Sequence, residues 1–196
     1  AGKIGYRNIL LRPITETLLP GNREAFIDGV KVDTKWNEDG SLDIYGGRGH
    51  VETKAKLGSG VIQFQASTLT KNVNSGLFFR CIPGEDMNGY ECQLHHGFKE
   101  SRAVPADSGT GAIFRRQPAR AVLSDEDKSA YVTIVADGPT IATWVQGIQV
   151  VDFTDTRKKD PNPRRGLRVE PGSIMLQGHD PECKVRFEAL KISHYE

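Results

Sequence analysis

Asn74-Ser75-Gly76-Leu77-Phe78-Phe79-Arg80-Cys81 is followed, after a short connection, by Asn88-Gly89-Tyr90-Glu91-Cys92-Gln93-Leu94-His95. Neither stretch has helical spacing. Successive side chains of a strand point to opposite faces, so Leu77, Phe79 and Cys81 are expected on a buried face, with Gly76, Phe78 and Arg80 on the other. In the second stretch Tyr90, Cys92 and Leu94 form the apolar set and leave Glu91, Gln93 and His95 opposite. Asn88-Gly89 is a strong local hairpin signal. Two strands with one apolar face need a second layer to cover it.

The same grammar runs outward in both directions. Asp39-Gly40 and Asp137-Gly138 also sit between strand-like runs. Strands are expected near 5–12, 41–46, 49–55, 60–68, 74–81, 89–95, 111–114, 130–136, 140–145, 148–152, 172–178 and 184–193. The 21 glycines and 10 prolines are scattered as punctuation and form no linker. Only Ser124-Asp125-Glu126-Asp127-Lys128 has the character of a helical start, with a capping serine followed by acids. The longest connections are 96–110 and 153–171. The second holds the basic run Arg157 to Arg165, which reads as a solvated loop or, alternatively, as a loop closing over an anionic or polyhydroxyl ligand. Many short strands closed by glycine turns mean an all-β, two-sheet antiparallel sandwich. At 196 residues it is expected to form one domain, 1–196. Residues 1–15 are either an added strand or the end of a preceding domain, because 6–11 resemble 187–192 in pattern.

The 26 basic and 25 acidic side chains leave a net charge of +1, so no basic field gathers nucleic acid, and none is expected as a partner. No apolar run approaches the ~20 residues of a membrane span. The first residues lack the apolar core of a signal peptide. Cys81, Cys92 and Cys183 are odd in number and lack Cys-x-x-Cys spacing, which indicates neither a zinc site nor a disulfide framework. A Cys81–Cys92 bridge across the hairpin stays open beside the plainer reading of buried thiols.

A third strand has the same polarity. In Ser173-Ile174-Met175-Leu176-Gln177-Gly178-His179, Ile174 and Leu176 point inward while Gln177 and His179 share the outer face. Arg80, then Glu91, Gln93 and His95, then Gln177 and His179 would converge on one concave trough if the three strands pair. Amides, carboxylates and guanidinium groups bind vicinal hydroxyls in pairs, and an aromatic ring covers the apolar side of a sugar. Trp144 is the candidate ring. A carbohydrate is the expected partner; the alternative is that these are the solvent-facing halves of exposed strands.

The motifs also carry a family likeness. Asn74 to Arg80, Asn88 to Leu94, Gly109-Thr110-Gly111-Ala112-Ile113-Phe114, Trp144 to Val150 followed by Asp152, Gly172 to His179, and Val185-Arg186-Phe187 come in a spacing similar to that of the 3-keto-disaccharide hydrolase domain family. Asp39-Gly40-Ser41-Leu42 and Gly46-Gly47 match its early hairpin, so the resemblance covers about residues 36–193. It implies a concanavalin A-like lectin/glucanase jelly roll, exported to the periplasm or beyond by carbohydrate-degrading bacteria. It implies cleavage of glycosides already oxidised to a ketone at C3, often with metal assistance. The carbonyl acidifies the C2 proton, a base removes it, the C1 substituent leaves, and hydration completes net hydrolysis.

On this chain the resemblance makes Glu91 or His95 the base, with Arg80, Gln93, Trp144, Gln177 and His179 holding substrate. Glu91, His95 and His179 are alternatively ligands of a divalent metal ion that polarises the ketone. Gln146 stands where the family commonly has asparagine, Phe187-Glu188-Ala189-Leu190 replaces its closing pattern, and Leu19-Pro20-Gly21-Asn22 stands near its missing opening motif. There is no Glu-x-Asp-x-x-Glu run, which argues against the ordinary two-carboxylate retaining mechanism. Three readings follow: a (3-keto-)glycoside hydrolase or lyase, a non-catalytic carbohydrate-binding module of a larger protein, and an interaction sandwich without a sugar ligand.

Overall fold

The computed structural model describes residue 14 and residues 16–195; the expected strand at 5–12 lies outside them. In chain order the strands are β1 (Glu16–Leu19), β2 (Phe26–Val30), β3 (Asp33–Trp36), β4 (Leu42–Tyr45), β5 (Gly49–Leu57), β6 (Gly60–Thr68), β7 (Ser75–Cys81), β8 (Tyr90–Leu94), β9 (Ala130–Asp137), β10 (Thr140–Val145), β11 (Ile148–Thr154), β12 (Gly172–Gly178) and β13 (Val185–His194). They form two antiparallel sheets. One has the order β11-β10-β9-β6-β13-β4-β3, with β1 joined to β13; the other has the order β2-β5-β12-β7-β8. The sandwich expected from turn chemistry and alternation is present.

The sheets enclose one core. Ile62, Phe64, Val132, Ile134, Ile141 and Leu190 from the larger sheet meet Val51, Leu77, Phe79, Cys92, Ile174 and Leu176 from the smaller. The larger sheet leaves its outer face to solvent, and in the smaller one exposed residues are confined to β2 and the second half of β5. In β9 and β10 buried residues alternate with partly exposed ones, whereas every residue of β7, β8 and β12 is buried. A strand covered on both faces needs something over its outer side. Here that cover is made by loops, and it marks the outer face of the smaller sheet as the face that differs from an ordinary solvated one.

Tight turns follow their chemistry. Gln146 and Gly147 between β10 and β11 both have positive φ, 51° and 80°, as a two-residue primed turn requires. This explains why asparagine suits the position of Gln146. Other expectations are corrected. Residues 111–114 form no strand but isolated bridges from Ile113 to Cys92 and to Gln117, although Gly111, Ala112 and Phe114 bond along the free edge of β8. Residues 124–128 make a turn and no helix. The sequence reading also missed β1, β2 and β3.

Parity breaks inside β7. Cys81 lies opposite Ser173 but Phe78 opposite Met175, so two residues of β7, Phe79 and Arg80, face the single residue Ile174. Arg80 sits in the left-handed region, φ 51°, at this bulge. Cys81 therefore turns to the outer face with Phe78, Met87 and Met175, away from Leu77 and Phe79. The three thiols are free and buried, and burial pushes each of them up in pKa. Among the described residues no helix is long and apolar enough to cross a membrane.

Candidate active site

Strand order makes the three polar-faced strands neighbours: β12, β7 and β8 pair side by side. Register then sets two rows on their outer face. In the first, Glu52 of β5 lies beside Met175, Met175 beside Phe78, and Phe78 beside Glu91. In the second, His50 lies beside Gln177 on one side of β7, and Gly76 beside Gln93 on the other. The sequence reading missed His50 and Glu52. Their signal was present, since they alternate with Val51 and Thr53 on a strand it placed correctly.

The second row is short of partners. Gln93 donates through Nε2 to the Asp107 carbonyl (3.1 Å) and carboxylate (3.0 Å), but its buried Oε1 accepts nothing among the described residues. Gln177 Oε1 is buried and equally unpaired. Unmade bonds of this kind cost about 1–3 kcal/mol each, so such groups are kept where a ligand or water supplies the missing donor. Asp107 itself has φ 42° and also accepts from Asn74 Nδ2. It lies in a loop without periodicity, and no sequence signal singled it out.

Glu91 sits at the base of a cleft of about 70 Å³ lined by Tyr90, Phe114, Arg115, Arg116, Pro163 and Arg164. Its side chain has room because β7 carries Gly76 alongside. A Cβ there would lie 3.0 Å from the Cys92 carbonyl oxygen and 3.1 Å from Glu91 Cγ. Glu91 is 8% exposed. Burial, helped by the Asp107 charge and opposed by Arg164 and Arg115, pushes its carboxyl up to about 7. A carboxyl at that value exchanges protons readily near neutral pH.

The cleft wall is fixed by a buried clasp. Tyr90, stacked on Phe79 at 5.7 Å, donates its hydroxyl to Asp155 Oδ2 at 2.7 Å and accepts the Arg168 N–H at 3.1 Å. Asp155 also receives Arg157 Nε (2.8 Å) and Nη2 (2.6 Å). Burial alone would raise the Asp155 carboxyl, but the Arg157 and Tyr90 hydrogen bonds hold it below the usual range. Burial pushes the Tyr90 phenol up to about 12. The clasp ties both ends of the 155–168 loop to the core. In between, Arg164 reaches over the outer face, with Nε to the Met87 carbonyl (3.1 Å) and its guanidinium over the Phe78 ring (5.4 Å).

The sequence-predicted residues divide. Glu91, Gln93 and Gln177 share the outer face described above. His95 lies just past β8, where its Nδ1 accepts the Gly97 N–H at 3.2 Å. His179 lies just past β12 and pairs with Asp180 at 2.9 Å. Arg80 is wholly buried at the end of the sandwich, donating to the carbonyls of Gly58 (2.9 Å), Gly138 (2.7 Å) and Arg168 (3.1 Å). The bulge that turned Cys81 outward turned Arg80 away from the trough, and those bonds commit it to holding loops. Trp144 is on the larger sheet, its side chain opposite in parity to the core residues Ile141, Thr143 and Val145. It is therefore on the far side of the molecule from Glu91. Glu91, His95 and His179 do not assemble: among the described residues no three His, Cys, Asp or Glu side chains are placed to hold a metal ion. This ligand set does not fit a divalent metal.

The sequence profile of the 3-keto-alpha-glucoside-1,2-lyase-like domain matches residues 22–193. The chain belongs to this family. The match begins at residue 22, so the lyase-like domain takes in β2 and β3 as well as the motifs quoted above. Membership makes its function carbohydrate-related. Solved structures share the fold at low identity. A provisionally assigned glycosyl hydrolase of Parabacteroides distasonis ATCC 8503 aligns at 20% identity and a TM-score of 0.73, over 92% of this chain and 98% of that one. A second from the same organism aligns at 16% identity and 0.68, over 88% and 89%. The carbohydrate-binding module CBM66 of Bacillus subtilis aligns at 13% identity and 0.63, over 86% and 95%. Among curated proteins no sequence matches the chain.

Proposed function

We propose that the protein cleaves glycosides carrying a ketone at C3, with Glu91 as the base that removes the C2 proton. The observation carrying this reading is the Glu91 carboxyl, buried beside guanidinium groups and raised to about 7. The C2–H bond breaks toward Glu91 and its electron pair delocalises onto the C3 oxygen. One cleft guanidinium neutralises that oxyanion. The C1–O bond then breaks, a C1–C2 double bond forms, and the protonated Glu91 returns its proton to the departing oxygen. Water adding to the double bond completes net hydrolysis. A single carboxyl with a near-neutral pKa serves both transfers.

The unpaired Gln93 and Gln177 acceptors favour a second reading, a sugar-binding face without chemistry. Turnover separates the two. With a 3-keto glycoside, kcat/KM is expected to rise with pH through about 7 and then level, because the free base must be ionised. Glu91→Gln is expected to lower it by about 10²–10⁴ while sugar binding persists. Binding by both proteins with turnover by neither would establish the module instead.

A further inference from the structure

Three guanidinium groups meet at the Glu91 cleft, those of Arg115, Arg116 and Arg164. None is ion-paired with a carboxylate among the described residues. Elsewhere the chain pairs Arg102 with Asp125, Arg157 with Asp155 and Arg186 with Asp43. Nearby acids are Glu91, Asp107 and Asp155; Asp107 is already engaged by Gln93 and Asn74, and Asp155 by Arg157 and the Tyr90 hydroxyl. The proposed chemistry does not use up this charge. While a proton passes from C2 to Glu91, the negative charge moves from the carboxylate to the enolate oxygen, and their sum is unchanged. One guanidinium is enough for that pair, so positive charge is left over at every stage.

The surplus groups are also prearranged. Arg116 donates to the Arg115 carbonyl (3.0 Å) and the Arg164 carbonyl (2.8 Å), tying the two arginine-bearing loops together. Arg115 is held with φ 59°, a left-handed conformation costly for arginine, and its guanidinium lies over the Phe114 ring at 5.4 Å. Arg164 lies over Phe78 in the same way. The ring contact steadies each guanidinium, and no described residue bonds the Nη groups of Arg115 or Arg164, which leaves them for a contact with an oxyanion. The cleft, at about 70 Å³, has the size of a substituent, whereas whole-ligand pockets run to ~300–1,000 Å³. Next to it, with Arg164 on the boundary, lies a hollow of about 420 Å³ lined also by Lys31, Arg48, Asp86 and Asn88, in which Asp86 is ion-paired with Lys31 and Arg48 is not ion-paired among the described residues.

We infer that the sugar bound at this site carries an anionic substituent, a carboxylate or a sulfate or phosphate ester, gripped by Arg115 and Arg164. This inference rests on the reading of the site as a sugar site. The test is calorimetric titration of the whole chain with methyl glucoside, methyl glucuronide and methyl glucoside 6-sulfate at low salt. A charged sugar is expected to bind about 10-fold or more tightly than the neutral one, because its contacts to the guanidinium groups are charge-assisted. That advantage should vanish in Arg115→Gln and in Arg164→Gln, while a circular dichroism melt shows each variant folded. Gain with the glucuronide alone identifies a carboxylate, and gain with the sulfate identifies an ester. Equal affinity for neutral and charged sugars overturns the inference and leaves the sugar site standing, as does a charge advantage that survives both substitutions. Binding of none of the three overturns the inference and the sugar-site reading together.

Discussion

Replacing Glu91 by glutamine keeps the shape of the side chain and removes its ionisation, so it isolates what burying this carboxyl costs the fold. The group rises from an ordinary 4.5 to about 7 on folding. Below pH 4.5 it is protonated in both states and adds no difference. As pH climbs from 4.5 toward 7 the unfolded chain releases the proton and the folded chain keeps it. Wild-type stability therefore falls across that window and levels above it. At ~1.36 kcal/mol per pH unit the full fall is about 3 kcal/mol. Urea unfolding at half-unit steps from pH 4 to 8 measures it as the difference between Glu91→Gln and wild type. The two should be close at pH 4, and the variant should be more stable by about 3 kcal/mol at pH 8, or ~2–4 °C in Tm for each kcal/mol. A difference that stays flat with pH, or a wild type more stable at pH 8, would refute the claim that burial raises the Glu91 carboxyl to about 7.

Other sites yield further expectations. Gly76→Ala places a Cβ 3.2 Å from Glu91 Oε1 and should cost about 10-fold or more in turnover, while overpacking costs the fold only ~1–3 kcal/mol; equal activity would mean the carboxyl does not need that position. Asp155→Ala removes the carboxylate partner of Arg157 and the acceptor of the Tyr90 hydroxyl, with an expected loss of about 3–5 kcal/mol in urea unfolding. Because Asp155 is held below its ordinary 3.8, its contribution is present above that pH and is lost as pH falls through its folded value. Arg80→Gln frees three loop carbonyls and should lower stability by about 3 kcal/mol without changing the sugar affinity of the folded protein. Trp144→Ala, on the opposite sheet, should leave turnover within twofold; a larger loss would place substrate where this account has none.

The sandwich was legible because its signals are local. Asp39-Gly40 and Asp137-Gly138 mark turns by chain geometry, and alternation in β8 gave Glu91 and Gln93 their common face. The pairing of β12, β7 and β8 entered only as a condition suggested by their shared polarity, and the structure has them side by side. Alternation failed where one residue broke the period. Arg80 in a left-handed bulge shifted every later side chain of β7, sending Cys81 outward and the guanidinium into the sandwich end. Trp144 was read as the ring of the trough but lies on the other sheet, because alternation says which face of a strand a residue occupies and nothing about which sheet the strand joins. His50 and Glu52 were readable and went unread. Asp107 and Arg115 were not readable, since loops have no period; Arg164 was legible only as part of the basic run Arg157 to Arg165, one of whose two readings closed over a ligand, and its position comes from long-range ties such as Tyr90 to Asp155.

The central claim is that Glu91 removes the C2 proton of a 3-keto glycoside. Proton NMR in deuterium oxide measures this directly, by following loss of the C2–H signal from substrate and product for wild type and Glu91→Gln at pH 7.5. The account predicts loss of C2–H with wild type and a rate reduced by about 10²–10⁴ in the variant, whose fold and sugar binding are intact. C2–H loss at an undiminished rate in Glu91→Gln would contradict it.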